Sequence, residues 1–187
     1  MINTNDLYTK VREFISNTIG NDLSQIGGKP AIVKARENGA RLQFPFATMD
    51  ILAITDANSY LTNRYLNDQG YVVYETFKHI TFELSVRADS QESYELTQRL
   101  NKALSFFSST NLFNEGINAS IVATSPITAT PDPLADRLQE FNSFILTLGI
   151  IDTDVDENSF PVENTDIDGT LNDPSGTSED INIPTNP

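Results

Sequence analysis

The sequence predicts a body that mixes helices and strands, followed by an acidic tail. Three observations carry this. Residues 5–19 place Leu7, Val11, Phe14, Ile15 and Ile19 at helical spacing, with Lys10, Arg12 and Glu13 on the other side. Ile80, Phe82, Leu84 and Val86 alternate with His79, Thr81, Glu83, Ser85 and Arg87, the period of a half-buried strand. The last 39 residues hold ten carboxylates and no Lys or Arg, whereas the first 148 hold all 12 basic residues and 16 acidic ones. The division is therefore a body at 1–149 and an Asn- and Pro-rich tail at 150–187.

Each element has its own signal. Asn5 or Asp6 is positioned to cap the first helix, and Gly20 to end it. Residues 21–30, with Gly27-Gly28, read as a loop. Residues 31–35 are a short apolar run and a candidate strand, and Glu37-Asn38-Gly39 is a turn signal. Residues 49–55 form the next strand, with Met49, Ile51, Ala53 and Thr55 on one face. Residues 56–70 are polar and read as a long loop or hairpin excursion.

The strand at 71–88 is too long to run straight, so a bend, a bulge or a projecting arm is expected near 74–77. Asp89 and Glu92 have the spacing of a capping box. The helix they open is expected to bury Leu96, Leu100, Ala103, Leu104 and Phe107, with one more turn at 111–115. A strand follows at 117–123. Residues 134–148 fit either a helix, through Leu134, Leu138, Phe141, Ile145 and Leu148, or a strand, and periodicity does not choose.

Composition excludes several classes of function. A net charge of −14 opposes general binding to phosphate backbones or anionic membranes, because that affinity comes from Lys and Arg. With no cysteine there is no thiolate metal site and no Cys nucleophile. No apolar run approaches a membrane span, and the N-terminus lacks the pattern of a secretory signal. His79, the single histidine, lies on the polar side of its strand with no nucleophile motif near it in sequence. Gly27-Gly28-Lys29-Pro30 lacks the first glycine and the hydroxyl residue of a phosphate loop. No catalytic residue and no cofactor is expected.

The tail has the only metal-like spacing. Asp152, Asp154, Asp156 and Glu163 match positions 1, 3, 5 and 12 of an EF-hand loop, but Glu157 replaces the required glycine. A second run, Asn164 to Gly169, matches positions 1 to 6 and then has Ser175 where an acid is needed. Both read as matches by composition, so no metal is expected. Phe160, Val162, Ile167, Leu171, Ile181 and Ile183 are spaced to fill small pockets on a partner or a neighbouring subunit.

Across residues 5–150 the order of elements resembles the tail-terminator, or neck, proteins of long-tailed bacteriophages. Three places carry the resemblance. Pro45-Phe46-Ala47-Thr48 leads into a strand after an amphipathic helix, a strand and an Asn-containing turn. Ile80 to Val86 runs straight into a capped helix with Leu96, Leu100 and Leu104. Arg137 to Leu146 is similar to the family's last strand, which would make the ambiguous segment a strand. Arg87-Ala88-Asp89 departs from the small residues usual after the long strand, and the acidic tail has no counterpart.

The resemblance implies an α+β fold, with a mixed or largely antiparallel sheet, two helices packed on one face, and an extended acidic C-terminal tail. It implies a non-enzymatic virion protein that forms a ring, expected to be a hexamer, and that terminates the tail tube and joins the tail to the head-tail connector. The implied partners are tail-tube protein, connector or adaptor proteins, sheath protein, and genomic DNA only as cargo passing through the lumen. The implied location is the tail and neck of a virion assembled in the bacterial cytoplasm, away from membranes. Another head-completion or sheath-associated adaptor, or an unrelated binding module, stays open as an alternative. The candidate contact residues are Arg36, Asn38, Arg41 and Phe46 around the first turn, Tyr71, Val73 and Phe77 on the long strand, and Phe160, Ile167 and Ile181 in the tail. The ordinary alternative for each is a solvated loop or a core strand.

Overall fold

A computed structural model describes residues 3–35, 42–57, 62–131, 140–156, 167–172 and 178–183. The chain divides into two units, Met1–Thr62 with Thr76–Asp152, and Asn63–Glu75 with Thr153–Pro187. The fold is α+β.

In the first unit, α1 (Thr4–Ile19) buries the five apolar residues that its spacing selects. Its cap is Asn3, whose side-chain oxygen accepts from the Asn5 N–H at 3.0 Å, so the helix begins earlier than a cap at Asn5 or Asp6 would allow. The loop expected after Gly20 contains a small hairpin, β1 (Gln25–Ile26) against β2 (Lys29–Pro30). Gly27 and Gly28 form its turn, both at positive φ, where a side chain would be strained.

The main sheet is built from β3 (Ile32–Lys34), β4 (Phe46–Asp56), β6 (Val72–Arg87), β9 (Glu140–Asp156) and β7 (Ala119–Thr124), in that spatial order, with β8 (Thr128–Pro131) also on β9. β3 runs parallel to β4, while the β4–β6, β7–β9 and β8–β9 pairs are antiparallel, so the sheet is mixed. The ambiguous segment is strand from residue 140 onward, and 134–139 lie outside the described residues.

The face expected for β4 holds only for its first half. Met49 and Ile51 stand opposite Leu84 and Phe82, but the register shifts between Ile51 and Ala53. The extra residue at this bulge turns Ala53 and Thr55 to the other face, opposite Thr81 and His79.

Two helices were expected, and three are present among the described residues: α1, α2 (Ser90–Ala103) and α3 (Phe107–Ile117). Asp89 takes the cap position of α2 without a side-chain hydrogen bond, so the capping box with Glu92 does not form. Ser93 ties the helix start to β6 instead, donating to the Val86 carbonyl at 2.7 Å. The helix stops at Ala103, and the Ser109 hydroxyl, from α3, satisfies the Ala103 carbonyl at 2.7 Å. Phe107 therefore opens a new helix and is 78% exposed, not part of a buried stripe.

One core joins the three helices to the strands. It contains Phe14 and Ile15 of α1, Leu96 and Leu100 of α2, Phe113 of α3, Phe82 and Leu84 of β6, and Phe144, Leu146 and Leu148 of β9. Phe14 and Phe113 meet with ring centroids 5.8 Å apart, and Tyr8 meets Phe82 edge-on at 5.8 Å.

In the second unit, β5 (Thr62–Leu66) pairs with β6 across a turn held by Asn67. The Asn67 side chain accepts from the N–H groups of Gln69 and Tyr71 at 3.0 and 2.9 Å. From Thr62 onward the polar excursion is thus a hairpin, and 58–61 lie outside the described residues. Further along, β10 (Ile167–Asn172) and β11 (Ser178–Ile183) pair antiparallel, with Ile167 opposite Ile183 and Gly169 opposite Ile181. The composition change at 149–150 falls inside β9, which runs on to Asp156.

Candidate assembly surfaces

Residues that alternate with the core positions of β6 and β9 line the opposite face of the sheet. At one end of that face, Arg87 stands opposite Phe46 in the β4–β6 register. Its guanidinium carbon lies 4.8 Å from the Phe141 ring centre and 6.0 Å from that of Phe46. Phe46 in turn stacks on Phe44 at 5.6 Å, with planes 1° apart. A guanidinium near aromatic faces is held by the ring quadrupole, and each exposed contact contributes about 0.5–1 kcal/mol. Arg87 thus has a definite packing role.

At the other end, Phe77 meets His79 edge-on at 5.4 Å. Its ring lies over Gly149, where an added Cβ would sit 2.5 Å from Phe77 Cζ and 2.9 Å from Val122 Cγ2. The histidine is a packing partner of Phe77. On the core side of the same strands, Lys78 and Asp152 form an ion pair at 2.6 Å, with 28% and 15% of their side chains exposed. Burial alone would push the Asp152 carboxyl up. The hydrogen bond and charge of Lys78 act against it, and the net direction is downward.

The EF-hand spacing is not an EF-hand loop here. Asp152 to Asp156 lie in extended β9, where same-side carboxylates are roughly 6.6 Å apart along the chain, and Asp152 is engaged with Lys78. Among the described residues no three His, Asp or Glu converge as metal ligands. Glu163 lies outside the described residues.

Those expected contact residues that are described fall on different elements. Phe46 is half-buried in the aromatic cluster, and Phe77 is exposed beside Gly149. Tyr71 is half-buried at the β5–β6 turn, and Val73 is buried. The same hairpin has Tyr65 donating to Glu75 at 3.3 Å and Arg64 over the Tyr74 ring at 5.5 Å. Ile167 and Ile181 are on β10 and β11, while Arg36, Asn38, Arg41 and Phe160 lie outside the described residues.

Other exposed apolar residues escaped the sequence reading. Phe106 and Phe107 form an exposed pair at the start of α3. Leu52 and Ile54 are exposed on β4, and Val122 on β7. One signal could have found the β7 region: residues 116–131 contain no charged residue, in a chain where 20% of residues are charged.

The fold and its surfaces define an α+β protein with one well-packed core and large apolar side chains left on the outside, the chemistry of a protein that works by contact. The chain belongs to the phage neck terminator protein family, whose family model matches residues 5–175. It is thereby a structural component of a bacteriophage neck. No curated protein matches the chain. No helix among the described residues is long and apolar enough to cross a membrane.

Proposed function

We propose that this protein forms a hexameric ring that terminates the tail tube and joins the tail to the head-tail connector. The family match across residues 5–175 carries the reading. The exposed apolar residues at both ends of the open sheet face support it, since a ring subunit needs contact area on more than one side.

In this reading one rim of the ring meets tail-tube protein and the other meets connector or adaptor proteins, with sheath protein outside where the tail is contractile. DNA passes through the lumen, and a chain of net charge −14 gives it little to adhere to. The acidic segment lies along a neighbouring subunit. Assembly takes place in the bacterial cytoplasm.

Light scattering on the purified protein, with negative-stain images of the same sample, tests the proposal. Six protomers in a ring, alone or on addition of tail-tube protein, is the expected result. A strict monomer under both conditions rejects it.

A further inference from the structure

The main sheet has two open edges of similar length and character. On one side, β3 covers β4 only from Ala47 to Met49. Ile51 donates its N–H to the Tyr8 hydroxyl at 3.3 Å, and past it no strand among the described residues pairs with Leu52 to Asp56 on that side. On the other side, β7 pairs with β9 alone, leaving the outer backbone of Ala119–Thr124 without a strand among the described residues.

Both edges have the composition of strands that pair. Leu52, Ile54 and Thr55 on one, and Ile121, Val122 and Thr124 on the other, are apolar or β-branched. Neither edge carries Lys or Pro, the usual guards against pairing with another chain, and Asp56 is the only charge on either. Each has a single bulge, at Leu52 and at Val122, which restricts pairing to a strand of matching twist.

We propose that the β4 edge of one protomer pairs with the β7 edge of the next copy, so that the sheets join into one continuous sheet around the assembly. The occupant of each edge is a second copy of this chain, because the two edges lie on opposite sides of one sheet. Joining unlike edges gives a head-to-tail contact, which closes into a ring when the rotation per subunit permits. A single edge pairing with itself would stop at a dimer. The proposal rests on the ring reading and adds the contact that makes the ring.

The experiment uses the full chain. Ala53→Lys and Ala123→Lys each place a charge on an exposed position of one edge. Melting temperatures within a few degrees of wild type confirm that the variants fold. Because the chain has no cysteine, a scan pairing one Cys in 52–55 with one in 120–123 reads the contact directly on a non-reducing gel. The expected results are loss of rings in both lysine variants and a ladder of cross-linked species for at least one Cys pair.

Wild-type rings that persist in both lysine variants, with no cross-linking pair, overturn the edge contact and leave the ring reading standing. Rings that persist while tail-tube binding is lost assign the edge to the tube protein instead and also overturn it. A wild-type chain that stays monomeric with tail-tube protein present overturns the ring reading itself.

Discussion

Ser93 and Asn142 are locked together by two hydrogen bonds, from the Asn142 backbone N–H and from its side-chain amide, both to the Ser93 hydroxyl at 3.0 Å. The hydroxyl uses its own proton on the Val86 carbonyl at 2.7 Å. Thr97 completes the cluster by donating to the Ser93 carbonyl at 2.7 Å. All three side chains are buried. One hydroxyl thus links α2, β6 and β9, with its single donor and both acceptor sites in use.

Ser93→Ala removes this hub and strands two buried donors on Asn142. The expected loss is about 2–3 kcal/mol of unfolding free energy, because an unsatisfied buried group costs more than a hydrogen bond contributes. Urea unfolding of the variant measures it. A loss below roughly 0.5 kcal/mol, the scale of a neutral surface change, would show that the cluster is not a structural hub.

Asp152 makes stability depend on acid. Its carboxyl is lowered in the folded state, so its contribution is fully present above the unfolded carboxylate value of about 3.9. That contribution is lost as the pH falls through the lower folded value. Asp152→Asn should reduce stability at pH 7 by about 1–2 kcal/mol, given the partial burial of the Lys78 pair. The difference from wild type should shrink as the pH falls below the unfolded value. Melting temperatures of both proteins between pH 2 and 7 give the curve. A difference that stays constant with pH would mean that the charge of Asp152 is not the cause.

Gly149 is tested by adding one methyl group. Gly149→Ala places a Cβ against Phe77 and Val122, and the Phe77 ring must swing away. The expected cost is about 1–2 kcal/mol. In Phe77→Ala the nearest of these contacts is already gone, so adding Gly149→Ala there should cost clearly less. Denaturant unfolding of the four proteins forms the cycle, and strict additivity would rule out the contact.

Phe107 and Phe113 lie six residues apart on α3, yet should respond oppositely. Phe113 is fully buried, and Phe113→Ala should cost about 3–5 kcal/mol. Phe107→Ser should change stability by no more than about 0.5 kcal/mol, because its ring is already in water. A large loss at Phe107 would contradict its placement outside the core.

The contrast at Phe107 also shows what the sequence could and could not reveal. Helix α1 and strand β6 were legible because their apolar periods are long and unbroken. The break between α2 and α3 was not, since Leu100, Ala103, Leu104 and Phe107 keep helical spacing through it and no Gly or Pro marks it. What ends α2 is the hydroxyl of Ser109 arriving from α3, a contact that periodicity does not register. The bulge at Leu52 was hidden in the same way, as it exists only in the pairing of β4 with β6. Of the candidate contact residues, Phe46 could be chosen from its place by the first turn and Phe77 from the length of its strand. The open edges became visible only once the strand order was known.

The passage of β9 through the composition boundary bears on how the acidic segment can be removed. A truncation drawn at the start of the acidic tail, after residue 149, would delete Ile150 from the core and the Asp152 partner of Lys78. Such a protein would fail for reasons unrelated to the segment's own role. Cutting after Asp156 keeps the strand whole and sheds seven of the ten tail carboxylates, leaving only the three on β9 itself, so the phenotype of that shorter deletion can be read as the work of the acidic segment alone.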